Sequence, residues 1–559
     1  MTRLKAAWTR VLTTGRSLLQ QTMEQRRIPP HVRDLAGLHV DQRTAGVRRT
    51  IRRLRRRPSV PADFLSVRDM AEANLAAVAD LLTASGVPFF VRDPDPPGGI
   101  TIGIDAAHRP KARKALAMTD AGSGLYARSV TGGRPVPLQA IGRSPSASRA
   151  MRLLVYRPYR LDDTHVIGAS QACEIQFWQR GGDNLRPPRG ADPARIVPAE
   201  SAPAELVVGS RTYPTLSPFG EHRALTEHTF PVDAVYTWVD DTDPVWRAQL
   251  DATRAQFGLV PLHVQSANPS RYRNRDELRY SLRSLSLYAP FIRSIYIVTA
   301  GQTPPWLADH PKVRIVDHSE ILPPDCLPTF NSHAIESSLH HIDGLAEHYL
   351  YLNDDFLIGR EVTANTFFTP NGLTRLFPDE NAPVPAGPAT DDDRPVDSAS
   401  KNVRDLLLAT LGVRVGRKML HVPYPQRRSV LSEMEERFSE EFGRTAHSRF
   451  RQTSDFNVAS NFSHYYAFAT GRAVPGDIAS AYIDISHRAA HLRLGRLVDR
   501  RDRDVVCIND TDVPPEQTGA LDVTVAGFLE AFLPVPSPFE KPADAQASTR
   551  KNDTMSVNP

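Results

Sequence analysis

Apolar and polar positions fall into two kinds of block along the chain. Over residues 69–82 the apolar residues Leu75, Val78, Leu81 and Leu82 share one face at helical spacing. Short apolar runs at 87–92 and 100–104 read as strands, and residues 111–118 as another helix. Strands near 153–156 and 175–178 complete a small α/β or α+β domain expected over residues 61–215. At Val232 the pattern changes. Val232, Ala234, Val235, Tyr236, Trp238 and Val239 form a nearly continuous apolar run, as in a strand buried on both faces. Residues 277–288 then read as a helix, 295–299 and 313–316 as further buried strands, 335–346 as a helix and 348–352 as a fourth strand. Strands alternating with helices predict an α/β fold, a mostly parallel sheet with flanking helices, in a core spanning residues 228–378. Ligands of such sheets bind beyond the carboxyl ends of the strands. Helical patterning resumes at 402–411 and 429–442, within a further region at 401–530.

Composition adds the joints. Residues 379–400 are polar and Pro-rich and read as a flexible insert, and residues 531–559 as a disordered tail. Residues 1–60 form a basic arm. Between Arg48 and Arg57 seven of ten positions are Arg, which fits contact with an anionic membrane surface, a phosphate-rich polymer or nucleic acid, or else a solvated basic helix. No stretch approaches the roughly 20 apolar residues of a spanning helix, and the N-terminus lacks a signal-peptide core. The expectation is a cytoplasmic protein, peripheral to the inner face of the membrane if the arginine run binds lipid, with no nucleic-acid partner. Three widely spaced cysteines, Cys173, Cys326 and Cys507, argue against a disulfide framework or a cysteine-based zinc site.

Chemistry concentrates at strand ends. Asn353-Asp354-Asp355 closes the fourth strand with hard oxygen ligands, which suits Mg²⁺ or Mn²⁺ bound to a diphosphate, or equally an Asx turn. Asp240 and Asp243 end the first strand with the same logic, or else one of them caps the helix running through Trp246. Arg271, Arg273, Arg275 and Arg279 surround the start of the helix at Glu277, where a helix N-terminus already favours phosphate. His421 and Arg451 are isolated in sequence. His340 and His341 are adjacent on the expected 335–346 helix, where neighbours do not face each other, and are set aside as a metal pair. A phosphate-binding P-loop, a zinc-protease helix and a nucleophile elbow are absent from the sequence.

These segments, in order, resemble the Stealth family of sugar-phosphate transferases, which includes bacterial capsule polymerases and the α/β subunit of the animal enzyme that tags lysosomal glycoproteins. The likeness lies in Val232-Asp-Ala-Val-Tyr-Thr-Trp-Val-Asp-Asp-Thr-Asp-Pro, in the block from Arg271 to Ile358 with Asp276-Glu-Leu-Arg, Leu327-Pro-Thr-Phe-Asn-Ser, Ala334-Ile-Glu-Ser and Tyr351-Leu-Asn-Asp-Asp, in Lys418-Met-Leu-His-Val-Pro-Tyr through Arg451-Gln-Thr-Ser-Asp, and in Val505-Val-Cys-Ile-Asn-Asp. It implies a nucleotide-sugar-binding, Rossmann-like or GT-A-like core. It also implies a UDP-hexose donor, a polysaccharide or glycan acceptor, a phosphodiester product and released UMP, with Mg²⁺ or Mn²⁺ as cofactor. On that resemblance Asp354 and Asp355 take metal or base roles, and His421 moves a proton. Arg451, Arg279 and Arg275 hold phosphate, and Asp240, Asp243, Glu277, Glu336, Asn353, Asn509 and Asp510 line the substrate site. Two positions depart from the family pattern. Asn274-Arg275 stands where many relatives have Asp-Asn, and His333 where some have Pro. The competing readings are a metal-dependent glycosyltransferase that releases UDP and a non-catalytic polysaccharide-binding protein.

Overall fold

The structure, a computed structural model, describes residues 60–61, 65–92, 100–162, 165–191, 196–220, 227–257, 272–510 and 518–542. The arginine run between Arg48 and Arg57 lies outside them, as do Arg271 and residues 543–559. The architecture is mixed α/β. Its C-terminal half is built on a five-stranded sheet made of β1 (Val232–Thr237), β2 (Ile292–Thr299), β3 (Val313–Asp317), β4 (His348–Asn353) and, beyond a short strand β5 (Phe356–Ile358), β6 (Tyr424–Arg427), in the order β3-β2-β1-β4-β6. The first four run parallel and β6 runs antiparallel on the edge. The apolar runs explain this: every residue from Val232 to Tyr236 and from His348 to Leu352 is buried, as strands covered on both faces must be.

Register brings the strand ends together. Thr237 pairs with Asn353, and Thr299 with Asp317, so the carboxyl ends of β1 to β4 share one edge. Because β6 is antiparallel, its first residue Tyr424 lies opposite Tyr351, which carries the neighbouring His421 to that same edge. A three-stranded sheet adjoins it, with β5 antiparallel to β8 (Val505–Asn509) and β8 parallel to β7 (Ser480–Asp484). Asp354 and Asp355 form the turn from β4 into β5. They therefore sit at the seam between two sheets.

Helices α1 (Pro244–Phe257) and α2 (Glu277–Tyr288) follow β1, and α2 has the bounds its pattern predicts. The helix expected at 335–346 is shorter. It is α3 (Ser332–Glu336) followed by a tight turn at Leu339–His341. The break falls at Ser337-Ser338, where the Ser337 hydroxyl donates to the Ala334 carbonyl (2.8 Å), the local competition that makes serine a weak helix interior. The insert expected at 379–400 is also corrected. Pro378–Pro383 pairs with Arg417–Met419, and α4 (Pro395–Leu411) begins inside the segment with Pro at its first turn. Lys401 ties the intervening loop down through Asp393 (2.7 Å). Downstream come α5 (Arg428–Arg437), α6 (Ser439–His447), α7 (Ala490–Arg500) and α8 (Thr518–Phe532). The described part of the expected disordered tail is packed: Phe532, Leu533 and Phe539 are buried, and Glu540 accepts from Arg283 (2.8 Å).

The N-terminal unit holds an eight-stranded, mostly antiparallel mixed sheet covered by the helix Val67–Ala84, whose capping box is Ser66 with Asp69. Val67, Met70 and Tyr159 of this unit belong to the core of the C-terminal half. Among the described residues no helix is long and apolar enough to cross a membrane.

Candidate active site

Three carboxylates meet at the seam. Glu277 opens α2 and is buried, and burial together with the Asp354 charge pushes it up to about 8. Burial and the neighbouring Asp355 raise Asp354 to about 7. Asp355 also rises to about 7 through burial, although the Cys507 thiol (3.3 Å) and the Asn509 side chain donate to it. Like charges out of water favour the protonated form, and a cation relieves them. The Oδ1 atoms of Asp355 and of Asp510 are buried without a hydrogen-bond partner. Such orphaned oxygens call for an ion or a ligand donor. The residues thus fit a hard divalent cation. Asp354, Asp355 and Glu277 do not bring three ligand oxygens within 4.8 Å of one another. A cation there would be held by one or two of these carboxylates and would need further ligands.

A second group lies on the α3 side. Arg451 donates through Nη2 to the Ser332 hydroxyl (2.7 Å), while its Nε is buried without a partner. Burial lowers its pKa, opposed by Glu336 and Asp455. Burial raises Glu336 to about 7 against the pull of Arg451. The Tyr351 hydroxyl lies 3.5 Å from Glu336 and 3.1 Å from both Asn353 Oδ1 and Thr237 Oγ1. His421 lies at the mouth, its ring centroid 5.0 Å from that of Tyr482 and 6.4 Å from that of Phe356. One face is exposed, yet the surrounding protein and then the Lys418 charge hold the imidazole below its ordinary value.

Other sequence candidates serve the frame. Arg275 joins Asp510 (2.6 Å), Asp522 (2.7 Å) and Glu277 (3.8 Å), so its charge locks the start of α2 to the end of β8 and to α8. Arg279 binds Glu540 (2.5 Å) in the C-terminal segment. Both arginines are thus paired with carboxylates. Asp243 accepts from the Val245 amide (2.9 Å) and from Gln302 (3.1 Å), and Asp240 from the Thr242 amide (3.0 Å). These are the bonds of a turn and a helix cap at the end of β1. Sequence reasoning missed Asn331 and Asp455, both fully buried, whose 2.8 Å bond pins the loop carrying Arg451 to the start of α3. Both lie inside quoted motifs, which was the available signal. Cys507 and Asp522 were missed as well.

Comparison with known proteins bears on this arrangement. Four family descriptions match in order: Stealth protein CR1, conserved region 1, at residues 230–258, CR2 at 271–376, CR3 at 420–468 and CR4 at 496–551. An exopolysaccharide phosphotransferase of Streptomyces coelicolor is 41% identical over 84% of this chain and 83% of its own length. The chain belongs to the Stealth family. Another Streptomyces coelicolor exopolysaccharide phosphotransferase is 40% identical, and this chain spans about half (52%) of its length. The exopolysaccharide phosphotransferase CpsY of Mycobacterium tuberculosis is 37% identical over 79% of this chain and 83% of its own. As a Stealth protein with such relatives, the chain is a transferase of phosphorus-containing groups. The conserved regions supply the site in turn: CR1 gives β1, CR2 gives α2, α3 and the Asp354-Asp355 turn, CR3 gives His421 and Arg451, and CR4 gives Asn509 and Asp510.

Proposed function

We propose that this Stealth protein transfers a hexose-1-phosphate from a UDP-hexose to a glycan hydroxyl during exopolysaccharide assembly, forming a phosphodiester and releasing UMP. The observation that carries this reading is the carboxylate cluster with the unpartnered Asp355 Oδ1, at the carboxyl edge of four parallel strands; the unpartnered Arg451 Nε belongs to the group with Glu336 and Tyr351. The order β3-β2-β1-β4 also suits a Rossmann-like or GT-A-like nucleotide-sugar site, where ligands lie beyond the strand ends. Asp354 and Asp355 would hold Mg²⁺ or Mn²⁺, which when bound supplies charge neutralisation to the diphosphate. Arg451 offers its guanidinium to the transferred phosphate, and Glu336 and Ser332 orient it. The surrounding protein and the Lys418 charge lower the His421 pKa, which favours the neutral imidazole that would accept the proton of the attacking hydroxyl. The acceptor oxygen bonds to the phosphorus next to the sugar, the bond from that phosphorus to the bridging oxygen breaks, and UMP carries the electron pair away. Catalysis is then mainly positioning and electrostatic stabilisation. In this reading the protein works on the cytoplasmic face of the inner membrane, with the run between Arg48 and Arg57 as its lipid contact.

Purified protein with Mg²⁺, a panel of UDP-sugars and a glycan acceptor tests the reading, scored for UMP against UDP. UMP from wild type and none from Asp354→Asn supports it. UDP assigns the chain to the glycosyltransferases, and acceptor binding without either product supports a binding protein.

A further inference from the structure

Away from the acidic seam, three side chains converge in a way the reaction does not use. His340 and His341, in the turn Leu339–His341, both reach one carboxylate oxygen of Glu435 on α5, with Nε2 to Oε2 distances of 2.7 and 2.8 Å. Adjacent residues on an α-helix could not do this. The tight turn makes it possible, with ring centroids 4.2 Å apart and planes tilted by 53°. The two imidazole nitrogens and the carboxylate oxygen all lie within 4.8 Å of one another.

The hydrogen bonds around His341 fix its chemistry. Its Nδ1 lies 3.0 Å from the Ile321 carbonyl, which can only accept, so Nδ1 carries a proton. In the neutral ring Nε2 then points a lone pair at the Glu435 carboxylate, which has no proton to give. A proton on Nε2 makes this 2.8 Å contact an imidazolium–carboxylate ion pair, with Glu435 holding the His341 pKa up, and a metal ion would take the place of that proton. A backbone carbonyl that holds Nδ1–H while Nε2 faces a carboxylate ligand is the outer-shell arrangement found behind metal-bound histidine. His340 supplies the second imidazole through Nε2 alone. It is 2% exposed, and its Nδ1 is buried without a hydrogen-bond partner. Its ring is therefore placed by the shared carboxylate more than by its other nitrogen.

We propose that His340, His341 and Glu435 form a site for a borderline divalent transition metal such as Zn²⁺, separate from the catalytic cation site and completed by water. Two imidazoles and one carboxylate with an open position match the ligand chemistry of zinc. Tetrahedral bonds of about 2.0–2.1 Å place ligand atoms roughly 3.3 Å apart, so the present contacts need to open by about 0.5 Å. Glu435 can move by that much because its side chain is 37% exposed, as is its neighbour His341 at 38%. The ion would tie α5 to the turn that continues from α3, the helix carrying Ser332 and Glu336. The Arg428 side chain already bonds the His340 carbonyl (3.0 Å), so the metal would close a junction that is half built. The other three-ligand group, Asp325 with Cys326 and His447, is weaker, since its Asp325 and His447 side chains are 72% and 54% exposed.

The test uses full-length protein stripped with EDTA and titrated with Zn²⁺, then with Co²⁺ as a spectroscopic probe. Wild type and Asp354→Asn are each expected to bind one Zn²⁺ that the double variant His341→Asn, Glu435→Gln binds at least tenfold more weakly. Bound Co²⁺ is expected to show visible d–d bands without a thiolate charge-transfer band. Unchanged stoichiometry in the double variant overturns the proposal, as does a thiolate band, which would place the ion at Cys326. If the double variant does not fold, the wild-type Co²⁺ spectrum decides alone: absence of the d–d bands overturns the site. Turnover is not read, so failure here leaves the proposed reaction untouched.

Discussion

Keeping Asp354, Asp355 and Glu277 together out of water has a stability consequence whose sign can be worked out. Their unfolded values lie near 4, and their folded values stand at about 7, 7 and 8. A carboxyl whose folded pKa is raised supports the fold fully below its unfolded pKa, and that support is lost as pH rises through the folded value. The melting temperature of metal-free protein should therefore fall between pH 5 and 8. Asp355→Asn should flatten that fall and melt about 2 °C or more above wild type at pH 8. Parallel pH profiles of the two proteins would contradict the assignment. Mg²⁺ should stabilise more at pH 8 than at pH 5, because its ligands must be ionised to bind. Arg451→Lys keeps the charge but loses the planar fork, and should raise the donor KM about tenfold while melting close to wild type. The acid pair was legible because two carboxylates directly follow a buried apolar run. Asn331 and Asp455 were not, because burial of a single polar residue depends on segments 124 residues apart.

The elements divide along the same line. Strands β1, β2 and β4 and helix α2 follow from apolar runs and helical spacing that are local in sequence. The described part of the C-terminal segment does not, because its anchors are distant: Glu540 meets Arg283 across 257 residues, with side chains 2% and 5% exposed. A local reading of a Pro- and Ser-rich stretch sees only its polarity. Removing one member of such a buried pair strands the other. Glu540→Ala should cost about 3 kcal/mol in urea denaturation. A loss within experimental error of zero would mean that the segment is loosely held after all. The insert at 379–400 carries the same lesson, since its strand forms only against Arg417–Met419, more than 30 residues downstream.

The two units of the molecule are joined through their cores: Val67, Met70 and Tyr159 of the N-terminal unit pack into the core of the other half, while that unit keeps a core of its own. Met70, on the first described helix, is fully buried among residues of the catalytic half, and the Gln171 amide donates to Glu361 (2.8 Å) across the same junction. Met70→Ala should cost about 2–5 kcal/mol and shift the melting of both units together. Loss confined to the N-terminal unit would show that the two are energetically independent. The sequence announced two units but not their fusion, because Met70 and Val67 look like ordinary helix-face residues until a second sheet lies against them. The central claim is that the phosphate travels with the sugar. It is tested most directly by supplying UDP-hexose labelled with ³²P at the phosphorus next to the sugar and following the label. The account predicts label in the glycan product, lost in Asp354→Asn, with unlabelled UMP released. Label recovered in UDP, with unlabelled sugar on the acceptor, would contradict it.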